Sequence, residues 1–116
     1  AVIVHSQDGT TVTGAATDDI LISDTTDDLL IGAAGDDLFV FSDGHGNDTV
    51  SDFQAGAGSD DAVDLSGVSE ITDLSDLLAS HASDVGSDTV IDTGSGNSVT
   101  LIGVSVADLH QDDFLF

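Results

Sequence analysis

The chain has 116 residues and a formal net charge of −23, because it contains 23 acidic side chains and neither lysine nor arginine. Phosphate-neutralising nucleic-acid binding is excluded without basic side chains, and no apolar run approaches the roughly 20 residues needed to span a bilayer. With no cysteine, disulfides, thiol nucleophiles and thiolate metal sites are excluded as well.

The acidity is almost entirely aspartate, since only Glu70 is glutamate. Aspartate favours turns and the coordination of hard cations. Val, Ile, Leu and Phe make up 35 of the 116 residues, about 30%, which lies above the roughly 20% that indicates disorder. We therefore expect one small folded domain whose charge repulsion is relieved by bound cations.

Residues 1–13 are predicted to form an N-terminal β-strand that connects to an upstream module. The chain starts without an initiator Met, a basic segment or a long apolar segment, so an uncleaved secretory signal is not expected. Two readings remain, a processed product or one module of a longer protein, and we favour the module.

Nonapeptide repeats occupy the next part of the chain. Residues 14–40 divide into GAATDDILI, SDTTDDLLI and GAAGDDLFV, and each unit has two aspartates before its last three residues. After a two-residue insertion, DGHGNDTVS (43–51) is a fourth unit with Asn47 and Asp48 in place of the aspartate pair. Repeats of this kind predict stacked structural units.

The period of nine predicts a six-residue turn followed by a three-residue strand whose middle side chain points inward. Two units would form one full coil, so loops two repeats apart would stack. Asp19 would then face Asp37 on one edge, and Asp28 would face Asp48 on the other. Stacked carboxylates repel unless a cation lies between them, and all-oxygen ligands suit Ca²⁺. The predicted inward side chains are Leu21, Leu30, Phe39 and Val50.

This pattern resembles the GGxGxDxUx nonapeptide of the RTX (repeats-in-toxin) family. The third unit matches it at Gly32, Gly35, Asp37 and Phe39, and the fourth at Gly44, Gly46, Asp48 and Val50. The resemblance implies an all-β fold, with a short right-handed parallel β-roll of calcium-binding repeats over residues 14–53. A β-rich C-terminal cap with one short helix would follow over residues 54–116.

The resemblance also implies a set of calcium-binding residues in the stacked loops. They are Thr17, Asp18, Asp19, Thr26, Asp27, Asp28, Gly32, Gly35, Asp36, Asp37, Gly44, Gly46, Asn47 and Asp48, where Thr17 and Thr26 replace a motif glycine. Asp52, Asp60 and Asp64 are further candidates for a terminal calcium. The alternative is a set of solvated turns with no ligand, which we disfavour because no basic residue offsets the carboxylates.

The region after the repeats carries several local patterns. Phe53 is expected to plug the end of the roll, with Val63 and Leu65 continuing the core. Apolar spacing predicts a helix over residues 73–80 that is capped by Thr72. Two β-rich runs around Gly-Ser-Gly-Asn predict a hairpin over residues 88–104.

The end of the chain is predicted to contain one helical turn, with a capping box between Ser105 and Asp108. The last four residues, Asp113 to Phe116, resemble the aspartate and apolar residues of a type I secretion signal. Together with the preceding cap, this ending implies recognition by a type I secretion machinery.

One stretch of the sequence carries an enzyme-like motif. Residues 90–95 match the apolar-apolar-Asp-Thr-Gly-Ser signature of aspartic proteases, but we read Asp92 as part of a hairpin turn. Neither HExxH nor GxSxG is present, so we expect no enzymatic activity. The four histidines are dispersed; His81 and His110 are expected on apolar faces, and His45 is expected to face solvent.

The predicted function is calcium-triggered folding after export, in a secreted or cell-surface protein. The chain would be the non-catalytic C-terminal module of a secreted hydrolase, such as a serralysin-like protease. Alternatively, it would be a structural subunit of a calcium-dependent surface layer, adhesin or matrix filament. Its expected partners are Ca²⁺, the secretion machinery, and either other copies of itself or an upstream domain, with no nucleic acid and no membrane insertion.

Overall fold

A computed structural model describes residues 3–5, 11–54 and 61–116, and this part of the chain is mostly β-structure with one short α-helix. The strands of the repeats are short runs rich in Ile, Leu, Phe and Val, which favour extended structure. The first six strands are β1 (Ile3–His5), β2 (Thr11–Thr13), β3 (Ile20–Ile22), β4 (Leu29–Ile31), β5 (Leu38–Ser42) and β6 (Asn47–Val50). They are followed by β7 (Ala62–Gly67), helix α1 (Leu74–Asp76), β8 (Ala82–Val85), β9 (Asp88–Gly94), β10 (Asn97–Leu101) and β11 (Phe114–Leu115).

Successive strands of the repeats alternate between two sheets. The sheet orders are β1-β3-β5-β7-β11 and β2-β4-β6-β10-β9-β8. Leu21 lies opposite Phe39 in the first sheet, and Leu30 lies opposite Val50 in the second, both in parallel register. Strands from units two repeats apart are therefore neighbours, which confirms the predicted stacking.

The side chain predicted to point inward from each repeat is buried. Its exposed fraction is 0% in all four units, and the buried side chains of both sheets form one hydrophobic cluster. Because the strands are three to five residues long, each contributes only one or two side chains to that cluster. The fold therefore depends on many stacked strands rather than on any long one.

Both sheets run across the predicted boundaries at residues 13 and 53. Strand β1 pairs with β3 and β2 pairs with β4, both in parallel. On the other side, β7 continues the first sheet beside β5, and β10 continues the second beside β6. Segments on both sides of the repeats therefore extend the same two sheets.

The segment that closes the repeats packs as predicted. Phe53 is 5% exposed, and its ring lies edge-on to Phe39 with 6.2 Å between centroids. Val63 and Leu65 point into the same core from β7 and are fully buried. These aromatic and aliphatic side chains replace the inward residues that a further repeat would supply.

The predicted helix over residues 73–80 is present in a shorter form, and its predicted cap is wrong. Helix α1 covers one turn, and a π-helical turn continues it over Leu77–His81. Asp73 is the N-cap, since its carboxylate accepts the Asp76 N–H at 2.8 Å. Thr72 instead donates its own N–H to the Asp76 carboxylate at 3.1 Å.

The predicted hairpin is confirmed, whereas the capping box at Ser105 is wrong. Strands β9 and β10 pair in antiparallel fashion, and β8 pairs antiparallel with the other edge of β9. Ser105 makes no side-chain cap; its backbone carbonyl accepts the Asp108 N–H at 2.9 Å, and the Asp84 carboxylate accepts the Val106 N–H at 2.8 Å. A capping box lies further on, between His110 and Asp113.

Among the described residues, no helix has the length and apolar character required to cross a membrane.

Candidate metal site

Three aspartates stack along one edge of the coils, and we call Asp19, Asp37 and Asp61 the first column. Each directly precedes a strand of the first sheet and is at most 4% exposed. One Asp37 oxygen, Oδ1, accepts the Asp19 N–H at 3.0 Å, and the Asp61 Oδ1 accepts the Asp37 N–H at 3.0 Å. The carboxylates of Asp37 and Asp61 are therefore each held over the backbone of the preceding coil.

The second oxygen of Asp37, Oδ2, is a buried polar atom of the first column. It is buried and has no hydrogen-bond partner in the described part of the chain. It lies against Gly32, where a Cβ would overlap it. The pKa of Asp37 is raised from 3.8 to about 7, chiefly by burial and also by the charges of Asp61, Asp19 and Asp52, against the lowering effect of the Asp19 N–H. A cation at this oxygen would remove that penalty.

The opposite edge carries a second column, formed by Asp28 and Asp48. The Asp48 Oδ1 accepts the Asp28 N–H at 2.8 Å, which repeats the geometry of the first column. The second oxygen differs, since it accepts the Ser23 hydroxyl at 2.7 Å and lies 2.6 Å from Nδ1 of His45. The two columns therefore share a backbone arrangement and differ in the contacts of the second carboxylate oxygen, Oδ2.

The expectation that His45 faces solvent is wrong, since the side chain is 1% exposed. Its Nδ1 contacts Asp48, and its Nε2 lies 2.7 Å from the Thr93 hydroxyl on β9. The ring also packs edge-on to Phe41 with 5.1 Å between centroids. The hairpin closes over this loop, and that tertiary contact buries the histidine.

The two threonines that replace a motif glycine hold carboxylates in place. The Thr17 hydroxyl donates to Asp19 at 3.2 Å. The Thr26 hydroxyl lies 2.7 Å from the Asp24 carboxylate and 3.3 Å from that of Asp28. These departures from the motif thus add polar contacts to the columns.

Two of the predicted loop glycines are required by the stacking. Gly35 and Gly46 have φ of 93° and 94°, in the left-handed region that favours glycine. A Cβ at Gly35 would lie 2.6 Å from the Thr17 carbonyl oxygen, and one at Gly46 would lie 2.7 Å from that of Thr26. Gly44 also has a positive φ, of 79°, but no atom of the described residues lies within 4 Å of where its Cβ would be.

The outer residue of each predicted pair lies at the surface and supports the loops instead of joining a column. The Asp18 carboxylate accepts the Asp36 N–H at 2.8 Å, and the Asp27 carboxylate accepts the Asn47 N–H at 2.8 Å. All four side chains are exposed. They add a second ladder of hydrogen bonds between coils.

The residues predicted for a terminal calcium are separated. Asp52 accepts the N–H groups of Gly32 and Ala33 at 2.9 and 2.7 Å. Asp64 accepts both the N–H and the hydroxyl of Ser66. Asp60 lies outside the described residues.

Asp61 is the column member that the sequence reasoning missed. It follows Asp37 by 24 residues, whereas Asp37 follows Asp19 by 18, so it falls out of phase with the repeats. Its carboxylate also accepts the Gln54 N–H at 3.0 Å. The detectable signal is Asp-x-aliphatic in Asp61 and Val63, the same pattern that ends each repeat.

The described residues contain no group of three or more acidic or histidine side chains placed to hold one metal ion. The columns offer pairs of carboxylates, so a calcium site here would draw its remaining oxygens from backbone carbonyls or water. The buried Asp37 oxygen fits such an ion. Asp92, the protease decoy, is exposed and accepts the Gly94 N–H at 2.9 Å, as expected of a hairpin turn.

No family model matches the chain, and no curated protein matches it. The fold is similar to that of an extracellular lipase, LipA from Serratia marcescens, with a TM-score of 0.66 and 25% sequence identity. The match covers 99% of this chain and 19% of the lipase chain. The chain thus spans about a fifth of that protein's length.

Proposed function

We propose that the chain is a non-catalytic, calcium-binding β-roll module of a larger secreted protein, and that it folds when calcium binds outside the cell. The observation that carries the proposal is the first column, in which buried carboxylates are stacked in a chain without lysine or arginine. Likeness to part of an extracellular lipase supports the secreted context.

The column explains why folding would depend on calcium. Asp19 and Asp37 can approach each other only when their mutual repulsion and their desolvation are offset. A bound calcium ion would supply that positive charge, and its binding free energy would become folding free energy. Gly32 leaves room beside the Asp37 oxygen, and Thr17 orients the Asp19 carboxylate.

A role in export follows from the same dependence. Where calcium is scarce, the carboxylates would repel and keep the chain unfolded, the state in which a type I secretion machinery could pass it. Phe114 is 3% exposed and pairs with β7, and Asp113 is fully buried. The Asp113 and Phe114 side chains of such a signal would therefore be accessible only before folding.

Circular dichroism with calcium and with excess chelator tests the proposal. We expect β-structure with calcium and an unfolded spectrum in chelator, whereas a fully folded protein in chelator would contradict the proposal.

Asp37→Asn should weaken calcium binding at least tenfold by calorimetry. Asp108→Asn is the matched control, because it removes one charge from an exposed site.

A further inference from the structure

We infer that the two columns are not equivalent as metal sites. In the Asp28–Asp48 column, His45 contacts the Oδ2 atom of Asp48 and thereby closes the column to calcium, whereas the corresponding Oδ2 atom of Asp37 in the first column is open to an ion. The inference rests on the proposed function and specifies where the ion binds. Asp37 and Asp48 occupy the same position in their repeats.

The carboxylate oxygens of Asp37 and Asp48 can be compared atom by atom. In both residues Oδ1 accepts an N–H from the preceding coil, at 3.0 Å for Asp37 and 2.8 Å for Asp48. The Oδ2 of Asp37 has no hydrogen-bond partner in the part of the chain described here. The Oδ2 of Asp48 has two, the Ser23 hydroxyl and Nδ1 of His45.

Two donors fill the coordinating capacity of that oxygen. A carboxylate provides about four lone-pair sites on its two oxygens, roughly two on each. Because an ionised carboxylate can only accept, Nδ1 of His45 donates to Asp48. Calcium could reach this oxygen only by displacing a hydrogen bond that is buried on both sides, which costs more than filling the open oxygen of Asp37.

The position of His45 is fixed from three sides. Thr93 contacts Nε2 at 2.7 Å, Phe41 packs edge-on to the ring, and the Asp48 carboxylate lies against Nδ1. Moreover, Gly32 beside the open oxygen has no side chain, whereas Ser23, two units before Asp48 on the same edge, donates its hydroxyl to the closed oxygen. At this edge, Ser23 and His45 both contact Asp48, and His45 also connects the repeats to the hairpin through Thr93.

The test counts bound ions in wild type and in His45→Ala by calorimetry. Removing the ring frees one lone pair of the Asp48 Oδ2, so the variant should bind one more calcium ion per chain. Thr93→Val is the control, because it removes the Nε2 contact while keeping the ring on Asp48, and its stoichiometry should equal that of wild type. Equal stoichiometry in wild type and a folded His45→Ala would overturn the inference.

A crystal structure of the wild type with calcium gives a second readout that needs no variant. An ion at the Asp37 Oδ2, with His45 still bonded to Asp48, supports the inference. An ion bonded to the Asp48 Oδ2 overturns it while leaving the proposed function intact. Absence of calcium from both columns contradicts the proposed function itself, and the inference fails with it.

Discussion

Asp37 shows how one buried carboxylate can make a fold depend on its solution conditions. Its two oxygens have different surroundings, since one is held by the Asp19 N–H and the other has no hydrogen bond within the described residues. Burial and the neighbouring acids disfavour the charged form. Either a proton or a cation can neutralise the group, and the two should compete.

This competition predicts that acid partly replaces calcium. The pKa of Asp37 is raised to about 7 in the folded chain, against about 3.9 for an unfolded aspartate. The folded state therefore binds more protons, and its stabilisation is full below about pH 4 and is lost as the pH rises towards 7. In calcium-free buffer, the folded fraction measured by circular dichroism should increase between pH 7 and pH 5.

Asp37→Asn is the control for this pH dependence. The amide carries no titrating proton, so the increase between pH 7 and pH 5 should become smaller in the variant. An identical pH response in wild type and variant would assign the effect to other acids and contradict the role given to Asp37.

At the scale of the element, the stacking of loops decides which glycines are indispensable. Gly35 and Gly86 both have positive φ, of 93° and 63°. Only Gly35 lies against another coil, where a Cβ would meet the Thr17 carbonyl group. The two positions thus separate the cost of backbone conformation from the cost of lost stacking.

Alanine substitutions at these glycines should differ clearly. Gly86→Ala should lower the free energy of unfolding by about 1 kcal/mol, the ordinary cost of a left-handed alanine. Gly35→Ala should cost about 3 kcal/mol, because the loop must also move away from the Thr17 carbonyl. Urea denaturation in saturating calcium measures both, and equal losses would show that the loops do not stack tightly.

The last strand provides a second matched pair. Phe114 is 3% exposed, stacks on Phe116 with 5.9 Å between centroids and pairs with Val63, whereas its neighbour Leu115 is 50% exposed. Phe114→Ala should therefore lower stability by about 3 kcal/mol, and Leu115→Ala by about 0.5 kcal/mol or less. Thermal unfolding with calcium would reveal the difference, and similar shifts would mean that β11 is not docked.

The sequence predicted those elements that follow from the nine-residue phase. Because the period fixes which side chain points inward, burial of Leu21 and Phe39 and the stacking of Asp19 on Asp37 could be deduced in advance. Asp61 was missed because a longer loop breaks the phase. The burial of His45 was missed because its partner Thr93 lies 48 residues away, a contact that no local pattern contains.

At the scale of the whole molecule, a charge of −23 acts on folding in two ways. Diffuse repulsion among exposed carboxylates is screened by any salt, with a Debye length of about 8 Å at 0.15 M. Repulsion between buried column members is screened much less, because water and mobile ions are excluded. The two contributions can therefore be separated by the choice of cation.

This separation yields the last prediction. Calcium that binds the folded chain alone stabilises it by RT ln(1 + [Ca²⁺]/Kd), about 2.7 kcal/mol for a site at 100 times its Kd. Sodium chloride at matched ionic strength should raise the unfolding temperature only slightly, because it screens the surface but does not neutralise Asp37. Magnesium should also act weakly, since it demands a tighter octahedral shell and gives up water reluctantly.

Thermal unfolding in the three salts measures the difference. Equal stabilisation by sodium and calcium would mean that surface screening alone folds the chain, whereas a calcium-specific increase that Asp37→Asn reduces and Asp108→Asn does not would assign the effect to the first column.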